Sequence, residues 1–332
     1  MKPKFLIFII TGFIFAGGLL LCSNIKTREI TPQNSLQTAD ELKFSKSFKA
    51  NPGYKLYIES DVSDVIIQSH SSNEINLNFY VRGSQERLKE LNISFEEGEN
   101  SLTIKIKRKK KIPWFDFSEL FLFGRKWVEM AQLVVNAPDS LSDLTVKSTG
   151  GDIKIENFKS NNFDLSSAGG DIHAKDLRGR TYASSAGGDI RLRNCAGSGE
   201  IKTAGGDIIV SEYQGELEAK SSGGDITINK LTGSVSASSS GGDINVEFIL
   251  ASGITRLSSS GGDVKIYAPS NLNAYIDFKT SGGDIKVDFP IKIETKSHSE
   301  LKGWIGKSNS GTTIKASTSG GDIELISKDL EI

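Results

Sequence analysis

The chain has little of what enzymes and metal proteins usually depend on. Its 332 residues include two cysteines and three histidines. Cys22 sits within or beside an N-terminal apolar run, which leaves Cys195 without a disulfide partner in the body of the chain. His70, His173 and His298 are scattered, with no HExxH and no paired-histidine metal spacing. P-loop, nucleophile-elbow and dinucleotide fingerprints are absent as well. No catalytic residue and no cofactor is therefore assigned. Proline is missing from Asp139 to Ala268, as expected where every backbone N–H is needed by a neighbouring strand. The net charge of −1, from 40 basic and 41 acidic residues, gives none of the basic excess that nucleic-acid binding needs.

Glycine, by contrast, is plentiful and periodic. Gly-Gly-Asp followed by Ile or Val occurs nine times, ending at Asp152, Asp171, Asp189, Asp207, Asp225, Asp243, Asp263, Asp284 and Asp322. Steps of 18 residues run unbroken from Asp171 to Asp243, flanked by steps of 19, 20 and 21. The last step, of 38, is long enough for two coils with one degenerate motif. A fixed period of this size signals stacked copies of one small unit. In the repeat that starts at Asp225, apolar residues alternate one and three places after the Asp, and again at ten and twelve, with a Gly at eight. Two period-two runs of this kind predict two short strands per repeat. The reading is an all-β parallel β-solenoid of about nine to ten coils, 18–21 residues each, with neighbouring strands roughly 4.8 Å apart.

The columns of this stack have distinct chemistry. Three places after the Asp lies an aliphatic ladder that includes Ile155, Leu192, Val210, Ile228 and Val246. Six places after it stand Phe158, Leu177, Cys195, Tyr213, Leu231 and Ile249, so Cys195 reads as a buried free thiol. A hydroxyl always precedes the Asp by four, from Ser148 to Thr318, and alternation points it inward. The corner pairs Gly170–Asp171, Gly188–Asp189, Gly206–Asp207, Gly224–Asp225 and Gly242–Asp243 read as structural. Glycine there supplies positive φ or close approach of stacked backbones, and each Asp caps its own corner by accepting turn N–H groups or the preceding hydroxyl. A second reading makes Asp171, Asp189, Asp207, Asp225 and Asp243 a calcium ladder, although oxygen ligands look too few for a dedicated site.

The front of the chain is different. Lys2 and Lys4 precede Phe5 to Leu21, an uninterrupted run of 17 apolar or small residues. Residues 1–25 thus read as a signal peptide or N-terminal membrane anchor that delivers the rest outward. Leu21, a large residue before Cys22, argues against lipidation of that cysteine. Residues 26–43 read as a polar linker and 44–146 as a β-rich capping section, ahead of the repeat solenoid at 147–332. Inside the front section, 105–127 combines six basic residues in seven with an aromatic run. Lys109, Lys110, Lys111, Trp114, Phe115, Phe117 and Trp127 are candidates for a membrane or partner contact, or else for a lid over the open end of the solenoid.

The Ser-Ser-Gly-Gly-Asp-Ile units, the β-rich front and the closing Thr312-Thr-Ile-Lys-Ala-Ser-Thr-Ser-Gly-Gly-Asp-Ile block resemble the bacterial putative-adhesin family called domain of unknown function 4097. That resemblance covers about Phe44 to Ile326, leaves the Lys107 to Trp127 insertion outside the family pattern, and implies a non-catalytic, often envelope-associated β-solenoid. The expected function is a non-enzymatic, exported interaction module whose partner is an envelope or surface protein or glycan. It would be held at the cell membrane by the N-terminal segment, or secreted if that segment is cleaved. Two alternatives stand beside it: an envelope scaffold that assembles through its solenoid ends, and a carbohydrate-active β-helix enzyme.

Overall fold

The computed structural model describes residues 41–81, 91–109, 131–308 and 310–328. The chain divides after Thr38, and every described strand belongs to the unit Ala39–Ile332. Residues 1–25, most of the linker 26–43, and the insertion beyond Lys109 lie outside the described residues. No helix among the described residues is long and apolar enough to cross a membrane.

The front section supplies β1 (Glu41–Lys49), β2 (Lys55–Ser60), β3 (Asp64–His70), β4 (Glu74–Val81), β5 (Leu91–Gly98), β6 (Ser101–Arg108), β7 (Ala131–Pro138) and β8 (Asp143–Ser148). Next come the long, bent strands β9 (Ile153–Ser167), β10 (Ile172–Ser185), β11 (Ile190–Thr203), β12 (Ile208–Ser221) and β13 (Ile226–Ser239). The C-terminal part holds β14 (Ile244–Ala251), β15 (Ile254–Ser259), β16 (Val264–Ala268), β17 (Ala274–Thr280) and β18 (Ile285–Val287). It ends with β19 (Ile291–Lys296), β20 (Glu300–Ile305), β21 (Thr313–Thr318) and β22 (Ile323–Ser327).

In the regular part each coil lies parallel to the next at a shift of 18 residues, as in Ile190↔Ile208 and Thr203↔Ser221. The two predicted strands of a repeat are one strand carried through a bend. The alternating residues fill the interior: Ile172, Ile190, Ile208 and Ile226 are wholly buried, as are Val210 and Ile228. Each such side chain contributes about 2 kcal/mol by leaving water. Large and small residues interlock across the interior. Tyr213 is buried in the six-position column, and its ring occupies the space that a Cβ on Gly199 would need, 2.6 Å from the Tyr213 hydroxyl.

Chain order and stacking order part company at both ends. β2 pairs in parallel with both β6 and β8, and β3 with both β7 and β9. Two further coils, β2–β3 and β6–β7, therefore extend the stack into the front section. At the other end β21 and β22 insert between earlier coils, pairing with β15 and β17 and with β16 and β18. The stack runs β6–β7, β2–β3, β8–β9, through β9 to β14, then β15–β16, β21–β22 and β17–β18, which makes eleven coils among the described residues. The 38-residue step holds no second coil: its extra residues form β19 and β20, an antiparallel pair added to β17.

One column also shifts. Leu231 pairs with Phe248, and Phe248 takes the buried position expected for Ile249. The step from Asp243 to Asp263 is two residues longer than the regular repeat, and the register slip absorbs the surplus on the surface. Ile249 and Leu250 are 40% and 58% exposed as a result.

At the N-terminal end the antiparallel strands β1, β4 and β5 close the stack. Phe44 stacks on Phe79 at 5.4 Å and meets Phe95 edge-on at 6.0 Å, while Phe48 lies 5.6 Å from Phe95.

Candidate interaction surface

The Gly-Gly-Asp corner spends its polar atoms between coils. Taking the corner at Asp189, the Gly188 N–H donates to the Ser185 hydroxyl at 2.9 Å, and that hydroxyl donates to the Gly170 carbonyl of the adjacent coil at 3.1 Å. The same pair of bonds recurs with Thr203, Ser221, Ser239, Ser259, Thr280 and Thr318. The inward hydroxyl column thus joins backbone to backbone.

The two glycines are not equivalent. A Cβ on the second, Gly206, would lie 2.3 Å from the Gly188 carbonyl oxygen, whereas one on Gly205 would meet nothing nearer than 3.7 Å. Neither belongs to the residues with positive φ. Close approach of stacked backbones, not left-handed geometry, is what requires glycine here.

The aspartates serve a neighbour and not their own turn. The Asp225 N–H donates to Asp207 Oδ1 at 2.9 Å, and Asp243 N–H to Asp225 Oδ1 at 2.8 Å. Equivalent bonds link Asp152, Asp171, Asp189 and Asp207 in sequence, then Asp243 to Asp263, Asp322 and Asp284. Own-corner capping, the expected role, is displaced because the coil-to-coil translation sets the next Asp N–H directly against the carboxylate. The column also has a tenth member: Asp64 accepts the Asp152 N–H at 2.9 Å. Burial pushes its carboxyl up to about 6, with a smaller repulsion from Asp152 acting the same way and the hydrogen bond from Asp152 opposing both.

With Oδ1 engaged, Oδ2 is the oxygen left to outside charges. Arg191 bridges Asp171 and Asp189 at 3.1 and 2.7 Å, while Lys265 and Lys286 approach Asp263 and Asp322 at 3.8 Å. His173 Nε2 stands 3.9 Å from Asp171. Among the described residues no group of three or more His, Cys, Asp or Glu side chains is arranged to hold a metal ion.

The opposite bend uses left-handed backbone at the residue five after each Asp: Asn157, Asp176, Asn194, Glu212 and Lys230 have φ between 50° and 65°. Three places on, Gly179, Gly197, Gly215 and Gly233 have φ from 126° to 144°. The glycine at eight was visible in the repeat; the left-handed residue was not, because its identity changes. Its only sequence signal was the preference for Asn or Asp in the first three coils. Cys195, inward beside this bend, is a buried free thiol whose pKa burial pushes up.

Outward positions vary from coil to coil. Two after the Asp stand Lys154, His173, Arg191, Ile209, Thr227, Asn245 and Lys265. A hollow of about 570 Å³ runs along the corner edge over Ser166, Ser184, Lys202 and the methyls of Ala168, Ala186 and Ala204. Another of about 470 Å³ lies over Leu250, Pro269 and Leu272, beside the exposed Ile249. At the C-terminal tip Tyr275 and Trp304 pack at 5.0 Å, and both donate to the Glu294 carboxylate at 3.1 Å.

Ser60 pairs with Ile106 and Asp64 with Gln132, so β6 ends and β7 begins on the Gly-Gly-Asp side of the stack. Lys109 is exposed, and Lys110, Lys111, Trp114, Phe115, Phe117 and Trp127 lie outside the described residues.

Several solved structures resemble the chain. One from Bacteroides fragilis, named a putative adhesin, is 17% identical with a TM-score of 0.45, over 87% of this chain and 98% of that one. One from Parabacteroides distasonis with the same designation is 15% identical with a TM-score of 0.44, over 86% and 98%. A third, from the same species and named a putative lipid binding protein, is 15% identical with a TM-score of 0.41, over 85% and 96%. No curated protein matches. The family profile described as Toastrack DUF4097 matches residues 54–326, from the strand that opens the second coil of the stack to the last strand, and the chain belongs to that family.

Proposed function

We propose that this protein is a non-enzymatic, exported interaction module of the cell surface or envelope, adhesin-like in mode of action. The observation that carries the reading is the division of labour within each coil. The residues that recur at the corner are consumed by contacts between coils, while the outward column two after the Asp changes from one coil to the next. A stack built this way displays a long, rigid, chemically varied surface, suited to recognition. Catalysis would need an acid and a base converging on a hollow, and the larger hollow, along the corner edge, is lined by Ser, Ala, Thr and Lys.

Export is supported by Lys2 and Lys4 ahead of the apolar run Phe5–Leu21, which would also hold the solenoid at the membrane if retained. The partner is an envelope or surface protein or glycan. The test is a glycan-array and envelope-extract binding assay with the full chain, followed for turnover. Saturable binding without bond cleavage is the expected result, and cleavage abolished by a single Asp→Asn change would overturn it.

A further inference from the structure

The chain has a net charge of −1, yet the bend opposite the Gly-Gly-Asp corner carries an excess of cations where β9, β10 and β11 pass through it. Three cations of these strands are neutralised locally: Lys154 by Glu156 at 3.2 Å, Lys175 by Asp176 at 3.7 Å, and Arg191 by Asp171 and Asp189. Four others, Lys159, Arg178, Arg180 and Arg193, are exposed and have no carboxylate partner among the described residues. Arg178 is held by neutral acceptors alone, the Leu177 and Asn194 carbonyls and the Asn194 side-chain oxygen, so its charge stays uncompensated. Lys159 and Arg178 stand directly side by side in the parallel register, an arrangement that costs stability unless an anion offsets it. The excess is local. Four, seven and nine places after the Asp, the next two coils hold Ser211, Gln214 and Glu216, then Asn229, Thr232 and Ser234.

We propose that this bend binds an acidic glycan, a polysaccharide bearing carboxylate or sulfate groups. The proposal rests on the adhesin-like reading above and names its class of ligand. Lys159 and Arg178 line a hollow of about 470 Å³, together with Ser140, Ser142, Ser160 and Asn161. An anionic group entering it meets two adjacent cations, and the Ser140 and Asn161 side chains, which bond to no other described residue, remain for sugar hydroxyls. Arg180 and Arg193 lie on the same and the following coil, and their unengaged guanidinium forks suit further anionic groups along one chain. A protein partner would be anchored by aromatic or apolar side chains. The large hydrophobic residues exposed among the described residues, Ile249, Leu250, Ile254 and Ile293, all lie elsewhere.

The test is binding of the full chain, in neutral detergent, to heparin for sulfate, polygalacturonate for carboxylate, and uncharged dextran. Binding to at least one of the polyanions and not to dextran is expected, weakening as salt is raised. Which polyanion binds more tightly identifies the anionic group. Lys159→Glu, Arg180→Glu and Arg193→Glu combined should lower that affinity about a hundred-fold. Lys292→Glu, Lys296→Glu and Lys307→Glu combined change the net charge equally, at exposed positions near the C-terminal end, and should leave affinity within about two-fold. All six side chains are exposed, so both variants should keep the wild-type melting temperature, which checks the fold. Absence of polyanion binding at low salt, equal losses in the two variants, or equal binding to dextran would each overturn the proposal. So would polyglutamate competing as well as heparin, which would point to an acidic protein. Envelope-extract binding that survives the first triple change overturns this site alone, whereas bond cleavage overturns the reading on which it rests.

Discussion

Each regular coil turns twice, and the two turns are built on opposite principles. The Gly-Gly-Asp corner repeats its residues and keeps ordinary φ values; the far bend changes its residues and uses left-handed backbone. At the first, side chains and backbone bond to the adjacent coil, so identity is demanded at every level. At the second, the glycine at eight is the residue that recurs, with its Cβ position 1.9–2.2 Å from a neighbouring carbonyl oxygen, while contacts such as Arg178 to the Asn194 carbonyl and Asn194 to Asp176 occur at single levels of the stack. Repetition therefore marks contact between coils.

The sharpest way to break this contrast is within one Gly-Gly pair. Gly206→Ala drives a methyl into the Gly188 carbonyl and should cost about 3 kcal/mol, whereas Gly205→Ala should change stability by under about 0.5 kcal/mol. Urea denaturation of the two variants measures the difference. Next in size is the charge on Asp64. Its folded pKa, about 6, exceeds the unfolded carboxylate value, so the folded state holds the proton more tightly. Stability from this group is full below about pH 4 and declines by roughly 2 kcal/mol as pH rises to about 7. Asp64→Asn keeps an oxygen for the Asp152 N–H and should abolish that decline, which denaturation at a series of pH values will show.

A smaller effect is expected in the ladder. Asp207→Ala leaves the Asp225 N–H without its acceptor and should cost about 1–2 kcal/mol, while Asp207→Asn, which retains the acceptor, should stay within about 0.5 kcal/mol. The far bend should respond least. Lys230 holds φ 57°, so Lys230→Gly relieves a left-handed side chain and should be neutral or stabilising by about 0.5 kcal/mol in thermal melts.

Much of this architecture was legible because periodicity records local alternation. The 18-residue step, the buried aliphatic column at three and the inward hydroxyls from Ser148 to Thr318 follow from a strand's period of two. Asp64-Val-Ile-Ile-Gln keeps the Asp and the alternation of a repeat without its Gly-Gly, and the structure stacks it as one. What periodicity does not encode is which coil lies against which. Placing Asp322 between Asp263 and Asp284 depends on β21 and β22 finding two partners distant in sequence. The exchange of Phe248 for Ile249 depends likewise on how the longer repeat absorbs its surplus. The role of the carboxylates was hidden for the same reason, since a capped turn and a ladder between coils have one sequence. At the surface, the outward columns could be located but not interpreted, because variation along them carries no period.

The claim on which the rest depends is that each aspartate is tied to the adjacent coil and not to its own corner. Amide hydrogen exchange in Asp207→Ala, followed residue by residue, tests it most directly. Loss of protection at the Asp225 N–H, with residues 204–208 still protected, is the result predicted. Loss of protection across 204–208, with Asp225 unchanged, would contradict it.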